Sequence, residues 1–310
     1  MRKWIIGILI TLLLAGGAVL CVIRWQAWFG TPAEPRWTGD TLSYVFPYPD
    51  TTWADSISAP TFLVLGDIHN NLTRANYDTL AARVPDAVAV IQAGDFLDRG
   101  QEYYRQLLLR EWTNSALMGL PVIACPGNHE YSKGVHKVIS PIWEETFTHP
   151  NNGPIAVPGV SYFLDCEHIR FIIIDTNPLV RMVDVTRTLT WLRNAMYTAD
   201  NRYIVVVMHH PVLSAGKGRF NAIIYTAFRH ALGEADLVIA GHDHSYMRRA
   251  PFVVLNAAGK PKPQHEHMLA QKTDSVPVYG VLQSSVSNLQ FKVYRLEDNT
   301  LIDSLYVSHD

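Results

Sequence analysis

Short apolar runs bounded by glycine, proline or polar residues punctuate this chain: Thr61–Leu65 (TFLVL), Ala87–Ala93 (AVAVIQA), Pro121–Cys125 (PVIAC), Tyr203–Met208 (YIVVVM) and Ala235–Ala240 (ADLVIA). Runs this short and this rich in Val and Ile read as buried strands. Between them, apolar positions at helical spacing predict helices over Leu72–Arg83, Gln101–Met118, Val185–Tyr197 and Ala222–Leu232. SYFLDCEHIRFIIID predicts a hairpin that turns near Glu167-His168. After Ser245 the pattern changes to strands alone: VPVYGVLQ, LQFKVYRLE and LIDSLYVS, the last two joined by a turn at Asp298-Asn299. TLSYVF, ending at Phe46, alternates weakly and suggests an added edge strand. Residues 61–310, about 250 in number, have the length of one large α/β domain.

The N-terminus has a different character. From Trp4 to Ile23 twenty residues carry no charge and one hydroxyl, flanked by Arg2-Lys3 and Arg24. At about 1.5 Å per residue a helix of this length spans a hydrocarbon core of about 30 Å. Residues 1–24 are therefore expected to form an uncleaved transmembrane anchor, and 25–60, rich in Trp and Pro, a tether lying on the domain surface. A signal peptide cleaved after Gly16-Gly17-Ala18, releasing a secreted chain, is the second reading; a lipid anchor on Cys21 is the third, weakened by the bulk of Leu20. Arg2, Lys3 and the α-amino group favour a cytoplasmic N-terminus with the domain extracytoplasmic, periplasmic in a Gram-negative cell; Arg24 and Arg36 oppose it.

Polar clusters follow the five apolar runs: Gly66-Asp67-Ile68-His69, Gly94-Asp95 within GDFLDRG, Gly127-Asn128-His129-Glu130, His209-His210-Pro211 and Gly241-His242-Asp243-His244. Asp, His and Asn are thus expected at five successive strand ends on one rim of a sheet, where open α/β folds bind ligands. Carboxylates, imidazoles and one amide oxygen, without a thiolate, suit Mn, Fe or Zn. Seven donors exceed the needs of one tetrahedral ion, so two ions, divalent or of mixed valence, are expected, and Asp95 is the natural bridge because a carboxylate has two oxygens. Single D-x-H or GNH matches are common, whereas five such blocks in order, each after a predicted strand, are not accidental.

This ordered set, D-x-H, GD, GNHE, H and GHxH, resembles the calcineurin-like metallophosphoesterase superfamily from Thr61 to Ser245. The resemblance implies a four-layer αββα sandwich of two mixed sheets flanked by helices. It places Asp67, His69, Asp95 and His244 on one metal and Asp95, Asn128, His209 and His242 on the other. His209 is preferred over His210 because family members with H-x-P bind through the histidine two before the proline. GDFLDRG and GNHE are similar to the phosphoprotein phosphatases, where the arginine of DRG contacts phosphate, here Arg99. Those enzymes carry an arginine just before GNHE; this chain has Cys125-Pro126. GHDHS looks more like the purple acid phosphatases and their bacterial relatives. Their metal-binding tyrosine is replaced here by Asp98, so no purple colour is expected.

The expected reaction is phosphoester hydrolysis by a hydroxide bridging two metals, without a covalent enzyme intermediate. His129, which resembles the family's substrate-facing histidine, is the candidate proton donor to the leaving group, since histidine titrates near neutral pH. Arg99 is either a phosphate clamp or a surface residue at a helix start. Asp98 is read as a helix cap or a hydrogen-bond partner of a ligand histidine, His210 as a packing or substrate contact, and Glu130 and Asp243 as turn or supporting residues. A phosphomonoester is the leading substrate class, with phosphodiesters or lipid-linked pyrophosphates as the alternative. A catalytically inactive binding or scaffold protein is the competing class, against which stands the presence of all seven donors. Beyond residue 30, 23 basic residues face 28 acidic ones, which argues against nucleic acid as a partner. Lys217-Gly218-Arg219 and Arg248-Arg249 are either steering patches or solvated loops. Cys125 and Cys166 either pair or stay as buried thiols. Substrate choice is expected to lie in the loops His136–Pro158, Ser214–Arg219 and Leu255–Val276.

Overall fold

Alternation along the strands sorts their side chains onto two faces. In β1 (Thr61–Leu65) and β2 (Ala87–Ala93), Phe62, Val64, Ala89 and Ile91 enter one apolar cluster, and Leu63, Leu65 and Val90 enter another. β5 (Ile169–Ile174) and β6 (Tyr203–Met208) divide likewise, Phe171, Ile173, Val205 and Val207 on one side, Ile172, Ile174, Val206 and Met208 on the other. Strands covered on both faces have no polar face to show, which is why their sequences are continuous apolar runs.

The computed structural model describes residues 35–49, 59–132, 138–154, 160–214, 222–261 and 271–309. The expected anchor at 1–24, part of the tether, and Lys217-Gly218-Arg219 lie outside these. Among the described residues no helix is long and apolar enough to cross a membrane.

There are two mixed sheets. With β3 (Val122–Cys125), β11 (Val278–Ser284), β12 (Leu289–Arg295) and β13 (Leu301–Val307), the first runs β13-β12-β11-β1-β2-β3. β1, β2 and β3 are parallel; β11 to β13 join antiparallel. The second adds β4 (Tyr162–Cys166), β7 (Leu237–Ala240), β8 (Tyr246–Arg249), β9 (Phe252–Val254) and β10 (Lys272–Asp274), in the order β10-β8-β9-β7-β6-β5-β4. The inner faces share one core, in which the rings of Phe62 and Phe171 meet at 5.0 Å. Outside the first sheet pack α1 (Arg74–Arg83), α2 (Glu102–Trp112) and α3 (Pro141–Thr146); outside the second pack α4 (Val185–Tyr197) and α5 (Ala222–Leu232).

The β4–β5 hairpin turns through Glu167, at φ 47°, as expected. Three details differ from the sequence reading. TLSYVF adds no edge strand: Phe46 makes an isolated bridge to Phe147 and packs its ring on Phe96, Phe147 and Trp112. The second predicted helix stops at Trp112, where the Thr113 side chain bonds back to Leu109 O. Arg248 is not in a solvated loop but in β8, where Asp303 on β13 holds it at 2.6 Å in a pair that joins the two sheets. Of the two readings of Cys125 and Cys166 the structure holds the second, buried thiols not joined to each other.

Candidate metal centre

Contrary to the expectation from the sequence, the five polar clusters do not share a single sheet rim. Asp67, Asp95 and Asn128 follow β1, β2 and β3 of the first sheet, and His209, His242 and His244 follow β6 and β7 of the second. The centre therefore forms where the two rims adjoin, and both sheets are needed to build it. Asp67, His69, Asp95, His242 and His244 all have left-handed backbone, with φ between 50° and 73°. For residues other than glycine this conformation costs of order 1–3 kcal/mol each and persists where packing fixes it, mostly at functional sites.

Donor atoms converge in the predicted division. Nitrogen or oxygen atoms of Asp67, His69, Asp95 and His244 lie within 4.8 Å of one another, as do those of Asp95, His209 and His242. Asp95 Oδ2 belongs to both groups, 3.5 Å from His69 Nε2 and 3.2 Å from His209 Nε2. Asn128 Oδ1 is 3.3 Å from His209 Nε2, which places the amide with the second group. Two glycines permit the approach. A Cβ on Gly127 would sit 2.1 Å from Asp95 Oδ1, and one on Gly94 would sit 2.3 Å from His209 Nδ1.

The arrangement suits cations. Asp67 is fully buried, yet its Oδ1 has no hydrogen-bond partner, a costly state for a carboxylate oxygen unless an ion meets it. The Nδ1 atoms of His209 and His244 are 3.0 Å from Ala93 O and 2.8 Å from Lys260 O. Because a carbonyl only accepts, each neutral ring carries its hydrogen on Nδ1 and presents the Nε2 lone pair to the centre, as in metal-binding histidines.

Electrostatics agree. Burial opposes protonation of His209, but the Asp95 carboxylate outweighs it and raises the pKa to about 9. For Asp95, burial is likewise overcome, by His209 foremost, and its pKa is held far below the usual carboxylate range. His69 is raised as well: burial works against the charge, and Asp67, Asp95 and Glu130 together prevail. Positive charge is what this centre recruits.

Glu130 is the clamp beneath it. Its carboxylate accepts from the backbone N–H groups of Asp95 (3.1 Å), Leu97 (2.9 Å) and Gly127 (2.7 Å), tying the loop after β2 to the loop after β3. Burial and the Asp95 charge push its pKa up to about 7.

The remaining nominated residues surround these donors. His129 is partly exposed, its N–H donating to Asp95 Oδ1 at 2.9 Å and its Nδ1 lying 2.5 Å from Asp98 O. Asp98 Oδ1 stands 3.8 Å from His69 Nδ1 and 3.9 Å from His129 Nδ1. Asp243 accepts from Ser214 at 2.6 Å, and His210 bonds Thr176. Arg99 approaches Asp98 at 4.0 Å and the Tyr104 ring at 6.0 Å and is absent from the cleft lining. The centre opens into a cleft of about 700 Å³, lined also by Asn70, Asn71, Tyr104, Leu107 and Lys260, none of which the sequence singled out. Only the placement of Lys260 in the Leu255–Val276 loop hinted at such a role.

Two sheets that present buried carboxylate and imidazole donors on adjoining strand ends define an α/β sandwich with a candidate metal-binding centre. The family model for calcineurin-like phosphoesterases matches residues 60–246, and the chain belongs to that family of phosphoester hydrolases. Among solved structures, the purple acid phosphatase PPD1 from yellow lupin (Lupinus luteus) is similar, with TM-score 0.63 and 16% identity over 86% of this chain and 55% of that one. The chain thus spans about half the length of the lupin enzyme. GAP50, the anchor in the inner membrane complex of Plasmodium, aligns at TM-score 0.58 and 15% identity over 82% of this chain and 90% of its own. PhoD aligns at TM-score 0.53 and 9% identity over 81% and 69%. These likenesses concern the fold. A comparison with curated protein sequences finds no match.

Proposed function

We propose that the chain is a phosphomonoesterase working with two divalent or mixed-valence ions of Mn, Fe or Zn. Asp67, His69, Asp95 and His244 hold one ion, and Asp95, Asn128, His209 and His242 the other. The observation that carries this reading is the position of Asp95 Oδ2 between His69 and His209, at 3.5 and 3.2 Å. Bound ions supply the Lewis acidity that ionises a water near neutral pH and neutralises phosphoryl charge.

The chain's own residues do the rest. Asp98 O holds one hydrogen of His129 on Nδ1, so a second proton taken up at Nε2, 4.0 Å from Asp95 Oδ2, makes the imidazolium that gives this Nε2 proton to the leaving oxygen and returns to the neutral ring. Lys260 places an exposed ammonium on the cleft wall, where a phosphate ester would meet it. Tyr104 and Leu107 form the apolar side that an organic ester group would cover. The volume of the cleft also favours a second substrate reading, a phosphodiester or lipid-linked pyrophosphate.

The test is metal content and hydrolysis measured together on the full chain, with p-nitrophenyl phosphate and its bis ester. About two ions per chain and preference for the monoester are expected; correctly folded protein that takes up no metal would refute the reading. His129→Ala should keep its metals and lose about 10²–10⁴-fold in kcat. Lys260→Met should instead raise KM about tenfold at unchanged kcat.

The same proposal tethers the domain to the membrane through Trp4–Ile23 and places it on the extracytoplasmic side, supported by the uncharged twenty-residue run. Alkaline carbonate should leave the full chain in the membrane fraction and leave a 61–310 truncation in the supernatant. Release of both would remove the anchor from the account.

A further inference from the structure

After β5 the chain reads Asp175-Thr176-Asn177, three polar side chains exposed by no more than 4%. Burial on this scale requires hydrogen bonds for each of them. Asp175 Oδ1 accepts from the backbone N–H and the side-chain amide of Asn177, both at 2.9 Å, and Oδ2 accepts from the Tyr131 hydroxyl. The Asp175 N–H donates to Ser161 Oγ at 2.9 Å. The triplet is thereby held rigidly.

What it holds is more informative. Asn177 Nδ2 reaches Gly127 O at 3.2 Å and Pro126 O at 3.4 Å, the two carbonyls directly before Asn128. Thr176 Oγ1 accepts the backbone N–H of His210 at 3.1 Å and lies 2.7 Å from its Nδ1. The His210 ring in turn packs against His209 at 5.1 Å and His242 at 4.5 Å. Asn128, His209 and His242 are the three donors of the second ion that it does not share with the first. Among the described hydrogen bonds, those of the triplet do not reach Asp67, His69 or His244.

We propose that Asp175-Thr176-Asn177 is the positioning element of the second metal position, and that it sets the affinity of that position independently of the first. Asn177 aims Asn128 through the Pro126 and Gly127 carbonyls, and Thr176 aims His209 and His242 through His210. The inference rests on the two-ion reading above. Partners that orient metal ligands in this way are typically worth about 10–100-fold in affinity.

The test uses the full-length chain purified in detergent, stripped by chelator and titrated with Mn or Zn, with metal content read by mass spectrometry and folding by circular dichroism. Thr176→Val removes the hydroxyl at nearly constant shape, Asn177→Leu removes the amide, and Thr176→Ser restores the hydroxyl. Wild type should show two binding steps. In Thr176→Val and Asn177→Leu the step that His242→Ala abolishes should shift by about 10–100-fold while the other stays in place, and Thr176→Ser should return it. Unchanged binding, or equal weakening of both steps in a folded variant, overturns the proposal. A wild-type chain with a single binding step overturns the two-ion reading instead, so the two failures are distinguishable. If Asn177→Leu does not fold, the Val and Ser pair at Thr176 decides.

Discussion

Substituting Asp95 with asparagine is expected to abolish binding of both ions and to lower kcat/KM by about 10³-fold or more. Asparagine keeps the shape and an oxygen that accepts the His129 N–H, now 2.9 Å from Asp95 Oδ1. It removes the charge that faces both His69 and His209. The Lewis acidity of bound ions is worth several kcal/mol at the transition state, and each 1.4 kcal/mol is a decade in rate. Loss of a donor belonging to a single position, as in His242→Ala, should spare the other ion. Metal content and single-turnover rates on both variants check this; an Asp95→Asn chain that still held two ions would show that Asp95 bridges nothing. In the metal-free variant the His209 pKa should also fall, because Asp95 is the principal group that raises it. Imidazole chemical shifts report that change directly.

How much of this centre could be read beforehand followed physical lines. Asp67, His69, Asp95, Asn128, His209, His242 and His244 stood out because each interrupts or follows an apolar run in a residue type that metal sites use, and the structure brings all seven together. Their assignment to one sheet rim failed because periodicity identifies a strand but not its neighbours. β1 pairs with β11, more than two hundred residues away, and that long-range pairing is what divides the strands between two sheets. Short elements escaped for a related reason: β9 and β10 have three residues each, too few to show a period. Asp175-Thr176-Asn177 was passed over because such residues after a strand ordinarily mark a turn, and burial alone distinguishes them. Lys260 needed tertiary structure, since nothing local separates a lysine in a cleft from one in solvent.

Chelation should destabilise the protein most strongly at alkaline pH. In the metal-free chain the folded His209 pKa of about 9 lies above its unfolded value of 6.5. Its stabilising contribution is therefore complete below about pH 6.5 and lost as pH rises through 9, a swing of roughly 3 kcal/mol. Glu130, raised to about 7 from 4.5, acts in the same direction over a lower range: stability is present while it is protonated and declines as pH rises through 7. Asp95, depressed, contributes above its unfolded value of 3.8 and loses that contribution only as pH falls far into the acid range. The stripped chain should thus be most stable near pH 5 and weaken steadily toward pH 9. Bound ions take the place of those protons. At a thousandfold excess over Kd each adds about 4 kcal/mol, and a domain of this size gains roughly 2–4 °C in Tm per kcal/mol. Loading with metal should also expel protons, since a ligating imidazole must be neutral. Melting curves of stripped and loaded protein between pH 5 and 9.5, with calorimetry in buffers of different ionisation enthalpy, measure both effects. The gap between the two curves should widen with pH, with proton release at pH 7; parallel curves without proton release would mean that the ions bind elsewhere than at the Asp95–His209 pair.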